Sequence, residues 1–229
     1  MSENHLLAAL PIRERKHLVT HLERVPLLLG DVIYEADQPI RYVYFPTSGV
    51  VSVLCTTDDG ASIEAATVGM EGVAGIPVFL GVDVSPNRAL VQVAGEALRM
   101  KTKVFKELAD QNSRFHSLLH LYTYALMNQM SLSVACNRFH NVEKRLARWL
   151  LMMQDRAQTG EFRFTQELIS RMIGTRRPHV STAVGNLHNT GLIHNGRGKI
   201  DILDREGLMK IACDCYLAAK KRFDGLFSI

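Results

Sequence analysis

The 229 residues predict an α+β protein in three parts: a β-rich N-terminal domain of sandwich or barrel type, one long helix, and a C-terminal helical domain carrying a β-hairpin. Glycine and proline usage is the first reason. Eight of the 16 glycines and six of the seven prolines fall in residues 1–95. None falls in residues 96–159, so strands and turns are expected first and helices afterwards. Periodicity is the second reason: short β-rich runs give way to apolar steps of three and four. The third is a pair of short amphipathic helical patterns meeting at Gly174, followed by a basic hairpin.

Residues 3–24 open with two short helical patterns. Leu6, Leu7 and Leu10 stop at Pro11; Ile12, Leu18 and Leu22 continue to Val25. From Leu27 to Met100 the texture is β-rich: residues 42–45, 50–56 behind Ser48-Gly49, 63–68 behind Asp58-Asp59-Gly60, and 89–93. Many short strands with turns every 8–12 residues or so suggest a sandwich or barrel. Residues 101–110 read as a short helix, and a long one spans about 113–140. On it Phe115, Leu118, Tyr122, Ala125, Gln129, Leu132, Cys136 and Phe139 alternate in steps of three and four. That seam suits a two-stranded coiled coil, with packing on its own β-domain as the competing reading. A helix of about 28 residues spans roughly 42 Å, longer than a small domain covers, which favours a dimer interface. Asn141 is placed as the cap of a helix over 142–157. Residues 162–164 form a short strand able to pair with the hairpin, and 205–229 form one or two helices packed on the C-terminal domain.

Residues 165–193 hold the most informative stretch. Leu168, Ile169, Met172 and Ile173 line one helical face; Val180, Val184 and Leu187 line the next. Thr165 and Thr175 are placed as their N-caps, and small Ser170 lets the two helices cross closely. Two such helices around a glycine turn form a helix-turn-helix, whose second helix enters the major groove. Residues 192–194, then Asn195-Gly196-Arg197-Gly198, then 199–203 add a basic β-wing, which is far more specific than either part alone. The candidate DNA contacts are Thr165, Gln166, Arg176, Arg177, His179, Ser181, Thr182, Asn186, Arg197 and Lys199. Charge supports this placement. Residues 1–140 carry −2, residues 141–199 carry +6, and the remainder balances.

Composition sets the outer bounds. An apolar share of 47% with 22% charged residues is globular. No window approaches the roughly 18 apolar residues of a membrane span, and the N-terminus lacks the form of a signal peptide. Cys55, Cys136, Cys213 and Cys215 are too scattered for a disulfide framework and fit a reducing cytoplasm. No nucleophile elbow, Walker loop or HExxH is present, so catalysis is not expected.

The chain resembles the Crp/Fnr family of bacterial transcription regulators along almost its whole length. Tyr44-Phe45-Pro46 with Gly49, the run VGMEGVAGIPVFLG at 68–81, residues 141–147 and the helix-turn-helix carry the likeness. The resemblance implies a cyclic-nucleotide-binding-like β-roll over 1–112, a dimerisation helix over 113–140 and a winged helix-turn-helix domain over 141–229. It also implies a homodimer on a two-fold double-stranded DNA site in contact with RNA polymerase. Arg177 matches a base-reading Arg, suited to guanine O6 and N7, and Thr182 a second reader. Pro178 stands where relatives of the catabolite activator have Glu, so a different DNA sequence is expected. The effector pocket maps onto Gly75, Arg88, Ala89, Met130 and Ser131. No Glu follows Gly72, Arg88-Ala89 replaces Arg-Ser, and Met130 offers a base no useful donor or acceptor, so cyclic AMP binding is expected to be lost. Another small effector or none is left.

No cofactor or metal is assigned from the sequence. An iron–sulfur cluster needs about four thiolates. The pairs His116/His120 and Cys136/His140, at helical spacing, each offer only two ligands and read as packed or solvated side chains, while Cys213/Cys215 is a redox or metal pair in form with no partner cysteines nearby in sequence. A ligand-sensing module acting through protein contacts rather than DNA is the alternative function.

Overall fold

The computed structural model describes residues 3–111 and 113–227; expectations reaching residues 1–2, 112 and 228–229 lie outside the described residues. Helices α1 (His5–Ala8) and α2 (Ile12–Val19) lead into seven strands. These are β1 (Glu23–Leu27), β2 (Val32–Tyr34), β3 (Tyr42–Pro46), β4 (Val50–Thr56), β5 (Ser62–Val68), β6 (Arg88–Val93) and β7 (Gly95–Lys101). They form two antiparallel sheets, ordered β1-β7-β3 and β2-β6-β4-β5. Val51, Val53, Val68, Ala89 and Val91 face Val43, Phe45, Ala97 and Met100 in one core, as the period-two alternation of half-buried strands requires.

One expectation fails at the edge of this domain. The helical pattern assigned up to Val25 ends at Val19, because Val25 and Leu27 pair with Ala97 and Gly95 in the first sheet. The β-rich stretch expected up to Met100 closes with β7, central to its sheet and paired on both sides, which takes in Lys101 as well. Buried Asn4 caps α1 and donates to the carbonyls of Pro46 (3.0 Å) and Gly72 (2.8 Å), stitching the first helix to the roll.

Helices α3 (Thr102–Ala109), α4 (Arg114–Phe139) and α5 (Val142–Ala157) follow, with Asn141 capping α5 as expected and Ser113 capping α4. The seam proposed for α4 does not face a partner. Phe115, Leu118, Tyr122, Ala125, Gln129 and Cys136 are buried within the chain, Leu132 packs beside Cys136, and Gln129 exchanges hydrogen bonds with Thr67 of β5. Burying a side chain of the Leu or Phe class stabilises by about 1.5–3 kcal/mol. The most apolar stripe therefore goes to the largest core available. Phe139 is the exception at 77% exposed. The solvent face of α4 carries a second track at steps of three and four: Ser117, His120, Tyr124, Met127, Ser131, Val134 and Arg138.

The C-terminal part comprises β8 (Glu161–Phe162), α6 (Gln166–Met172), α7 (Arg177–Asn189), β9 (Ile193–Gly196), β10 (Lys199–Ile202), α8 (Arg205–Ile211) and α9 (Cys215–Asp224), then a 3-10 turn at Gly225–Phe227. A second core joins Leu146, Trp149 and Leu150 of α5 to Ile169, Val180, Val184 and Ile200. It extends to Val50 and Leu54 on the outer face of β4, so the two domains share packed surface. The tail also departs from expectation. Tyr216 packs in the second core, but Phe223 and Leu226 join the first, with Phe223 6.4 Å from the Tyr122 ring. Among the described residues no helix is long and apolar enough to cross a membrane.

Candidate nucleic-acid interface

The helix-turn-helix is built on α6 and α7. Thr165 caps α6 by accepting from the Leu168 amide, while Ile169, Ser170 and Met172 are buried. Gly174 turns the chain at φ +57°, a conformation that suits a residue without Cβ. Arg145, buried on α5, donates to the carbonyls of Ile173 and Gly174 and so holds the turn from beneath. Burial lowers the pKa of Arg145, which makes those carbonyl contacts the compensation for its desolvated charge. Sequence reading missed this role, because an Arg between apolar positions is usually solvated.

Helix α7 buries Val180, Ala183, Val184 and Leu187 and exposes the opposite face. Arg176, Arg177, His179, Ser181, Thr182 and Asn186 are all exposed there. Thr175 is not the cap. Arg176 occupies that position with no side-chain cap, so the first amides of α7 have no side-chain acceptor. Arg177 and Pro178 make up the first turn, where a missing N–H costs nothing. Three of the polar residues already have partners. Ser181 donates to Gln166 (2.7 Å), Thr182 donates to the Pro178 carbonyl (3.2 Å), and the Asn186 amide donates to Glu143 (2.8 Å).

The wing is β9 and β10, antiparallel, with Lys199 opposite Gly196 and Ile200 opposite Asn195. Arg197 (φ +49°) and Gly198 (φ +74°) form the two-residue loop, and positive φ at both is the type I′ geometry that matches strand twist. This thrusts Arg197 into solvent. The expected third strand is present but shorter: β8 pairs Phe162 with Ile200, while Phe164 leaves the sheet to pack on Trp149 at 4.8 Å. Arg176, Arg177 and Arg197 have no ion pair among the described residues. Lys199 does, with Glu161 (2.8 Å) and Asp201 (3.3 Å). The result is two free guanidinium groups at an uncapped helix start and a third at the tip of the wing, groups suited to phosphates and guanine edges.

The candidate effector residues are less coherent. Arg88 sits 3.0 Å from Glu35 as an exposed ion pair; Ala89 is buried in β6. Gly75 adopts φ +105° with Val43 3.0 Å from where a Cβ would lie. Met130 is half-buried against the first core, and Ser131 is exposed, donating to the Met127 carbonyl. At Gly72 a Cβ would run into the Tyr122 ring, so that tyrosine closes the space. A separate cavity of about 350 Å³ lies between the Met70–Glu71 turn, α5 and α9. It combines Met152 and Phe223 with the ion pair Glu71–Arg156 (2.8 Å), at a size small ligands occupy.

Comparison with known proteins follows the same division. Residues 24–112 match the cyclic nucleotide-binding domain and residues 144–211 the Crp-like helix-turn-helix domain, together more than two thirds of the chain. No sequence among the curated proteins matches the chain. Similar solved structures include a putative Crp/Fnr-family transcriptional regulator from Eubacterium rectale, with TM-score 0.70, 17% identity, and coverage of 91% of this chain and 99% of that one. FixK2 from Bradyrhizobium japonicum has TM-score 0.67 and 20% identity, over 84% of this chain and 98% of its own. The c-di-GMP-responsive regulator CLP of Xanthomonas campestris has TM-score 0.67 and 15% identity, over 84% and 99%. Identities this low speak for the fold, and the matched domains add the family. The chain, a cyclic nucleotide-binding domain joined to a Crp-like helix-turn-helix domain, belongs to the Crp/Fnr family of transcription regulators.

Proposed function

We propose that this regulator, which is not an enzyme, binds a two-fold DNA operator as a homodimer, reading bases with α7 and gripping phosphates with the wing. The observation that carries this reading is the exposed, unpaired pair Arg176 and Arg177 at an uncapped helix start, with Arg197 equally exposed and unpaired at the tip of the wing. Arg177, His179 and Thr182 are the base-edge candidates, and Arg176, Arg197 and Thr165 the backbone ones. Ser181 and Gln166, bonded to each other, brace the two helices and contact phosphate as a unit. Residues 1–112, 113–140 and 141–229 serve as sensor, dimerisation helix and DNA-binding domain.

The solvent-facing track of α4 supports the dimer. Tyr124 (58% exposed), Met127 (61%) and Val134 (72%) lie at coiled-coil spacing with nothing of their own chain covering them. Two copies joined there present two α7 helices to successive major grooves about 34 Å apart. Contact with RNA polymerase belongs to the same reading.

The ligand side of the proposal is an effector other than cyclic AMP. It rests on Arg88 being tied to Glu35 and on Tyr122 closing the space at Gly72. Selection of bound sequences from random duplexes tests the DNA reading. A palindromic consensus is expected, and recovery of no consensus would reject it. Calorimetric titration with cyclic AMP is expected to show no micromolar binding.

A further inference from the structure

Three of the four cysteines of this chain meet at one point, outside the residues assigned to DNA. Cys136 lies in the last turn of α4, and His140 caps that helix four residues on. Cys213 lies between α8 and α9, and Cys215 opens α9. The Cys136 and Cys213 sulfurs are 3.4 Å apart, and Cys215 Sγ is 3.7 Å from His140 Nδ1. All four donor atoms lie within 4.8 Å of one another. Tetrahedral zinc, with Zn–S of about 2.3 Å, sets its ligands about 3.7 Å apart, so the observed spacing brackets the required one.

We propose that Cys136, His140, Cys213 and Cys215 form an S₃N site for a thiophilic divalent cation of the zinc type, fastening α9 to the end of the long helix. Four ligands complete a closed structural site, and no open position is left for chemistry. The three thiols release their protons to solvent on binding, leaving a metal site of net charge −1. Arg148 suits that charge: it is buried, hydrogen-bonded to Ser133 (2.9 Å), and without a carboxylate ion pair among the described residues. The cysteines are buried while His140 is half-exposed, which supplies a route for the ion. A Cys136–Cys213 disulfide accounts for two of the four groups and leaves Cys215 and His140 without a reason to converge. Softness of the ligands excludes magnesium and calcium. The site sits at the junction from which α5 and the DNA-binding domain depart, so occupancy stiffens the hinge at Asn141.

The test is a cobalt(II) titration of the reduced, full-length protein under anaerobic conditions, followed by displacement with zinc. The expected result is about one ion per chain, with tetrahedral ligand-field bands and a thiolate-to-cobalt charge-transfer band that zinc abolishes. Cys213→Ser should weaken binding at least tenfold, Cys55→Ser should leave it unchanged, and His140→Cys should retain the ion with stronger charge transfer. Circular dichroism of each variant separates lost ligation from lost fold, and the wild-type titration needs no variant. An octahedral spectrum, a charge-transfer band that survives Cys213→Ser, or a Cys136–Cys213 disulfide in protein that takes up no metal after reduction would overturn the proposal.

Discussion

Arg177, Arg197 and Lys199 are three cations on one domain, and their surroundings assign them different weights. Arg177, exposed in the first turn of α7, has five fixed donors and no competing carboxylate. Arg177→Ala should cost about 1–3 kcal/mol on a selected operator and relax one position of each half-site. Anisotropy titrations on operator and random duplexes check this, and equal losses on both would remove its base-reading role. Arg197→Ala should weaken binding to every sequence and lower the salt slope by about one. Lys199→Ala should do less, since Glu161 and Asp201 already neutralise its ammonium. These residues were legible because the helix-turn-helix pattern, the glycine turn and the basic hairpin are local. The carboxylates around Lys199 were not: Asp201 is two residues away, but Glu161 reaches it only through β8 pairing with β10.

Helix α4 shows how an element can be legible and its orientation not. Its limits, its Ser113 cap and its length follow from local spacing. Two tracks at steps of three and four run along it, and apolar content alone selected the one that lies against the roll. The structure leaves the weaker track, Tyr124–Met127–Val134, to face outwards. Met127→Glu should therefore shift the protein towards monomer in light scattering and lower operator affinity with it, because a buried glutamate pair at a seam repels and stays desolvated. An unchanged mass would place the dimer interface elsewhere.

The whole molecule is joined through a buried carboxylate. Glu64 of β5 accepts from Ser52 (2.6 Å) and from Trp149 of α5 (2.9 Å), spanning the two domains. Burial raises its pKa from 4.5 to about 7, against the pull of those hydrogen bonds and of Arg156 and Arg148. A carboxyl group raised in this way contributes stability that is fully present below its ordinary pKa and is lost as pH rises through about 7. The melting temperature should therefore fall between about pH 5 and 8, and Glu64→Gln should flatten that fall. Identical pH profiles in the two proteins would show that Glu64 does not carry the dependence. Nothing in the sequence marks Glu64. Its alternation within β5 is ordinary, and its burial comes from a domain eighty residues downstream.

Periodicity, breakers and turn chemistry act over a few residues, so the chain itself settled the three-part order, most element boundaries, the helix-turn-helix and the wing. Contacts between residues remote in sequence settled the remainder. Which stripe of α4 is covered depends on the roll it meets, and the anchoring of α9 depends on Tyr122 and Cys136, some eighty to a hundred residues before it. The two-ligand motifs Cys136/His140 and Cys213/Cys215 looked incidental because each is incomplete. Folding places them within 4.8 Å and makes one four-ligand set. Spacing along a chain reveals local partners, whereas a site assembled from two remote segments exists only once their packing has brought the donors together.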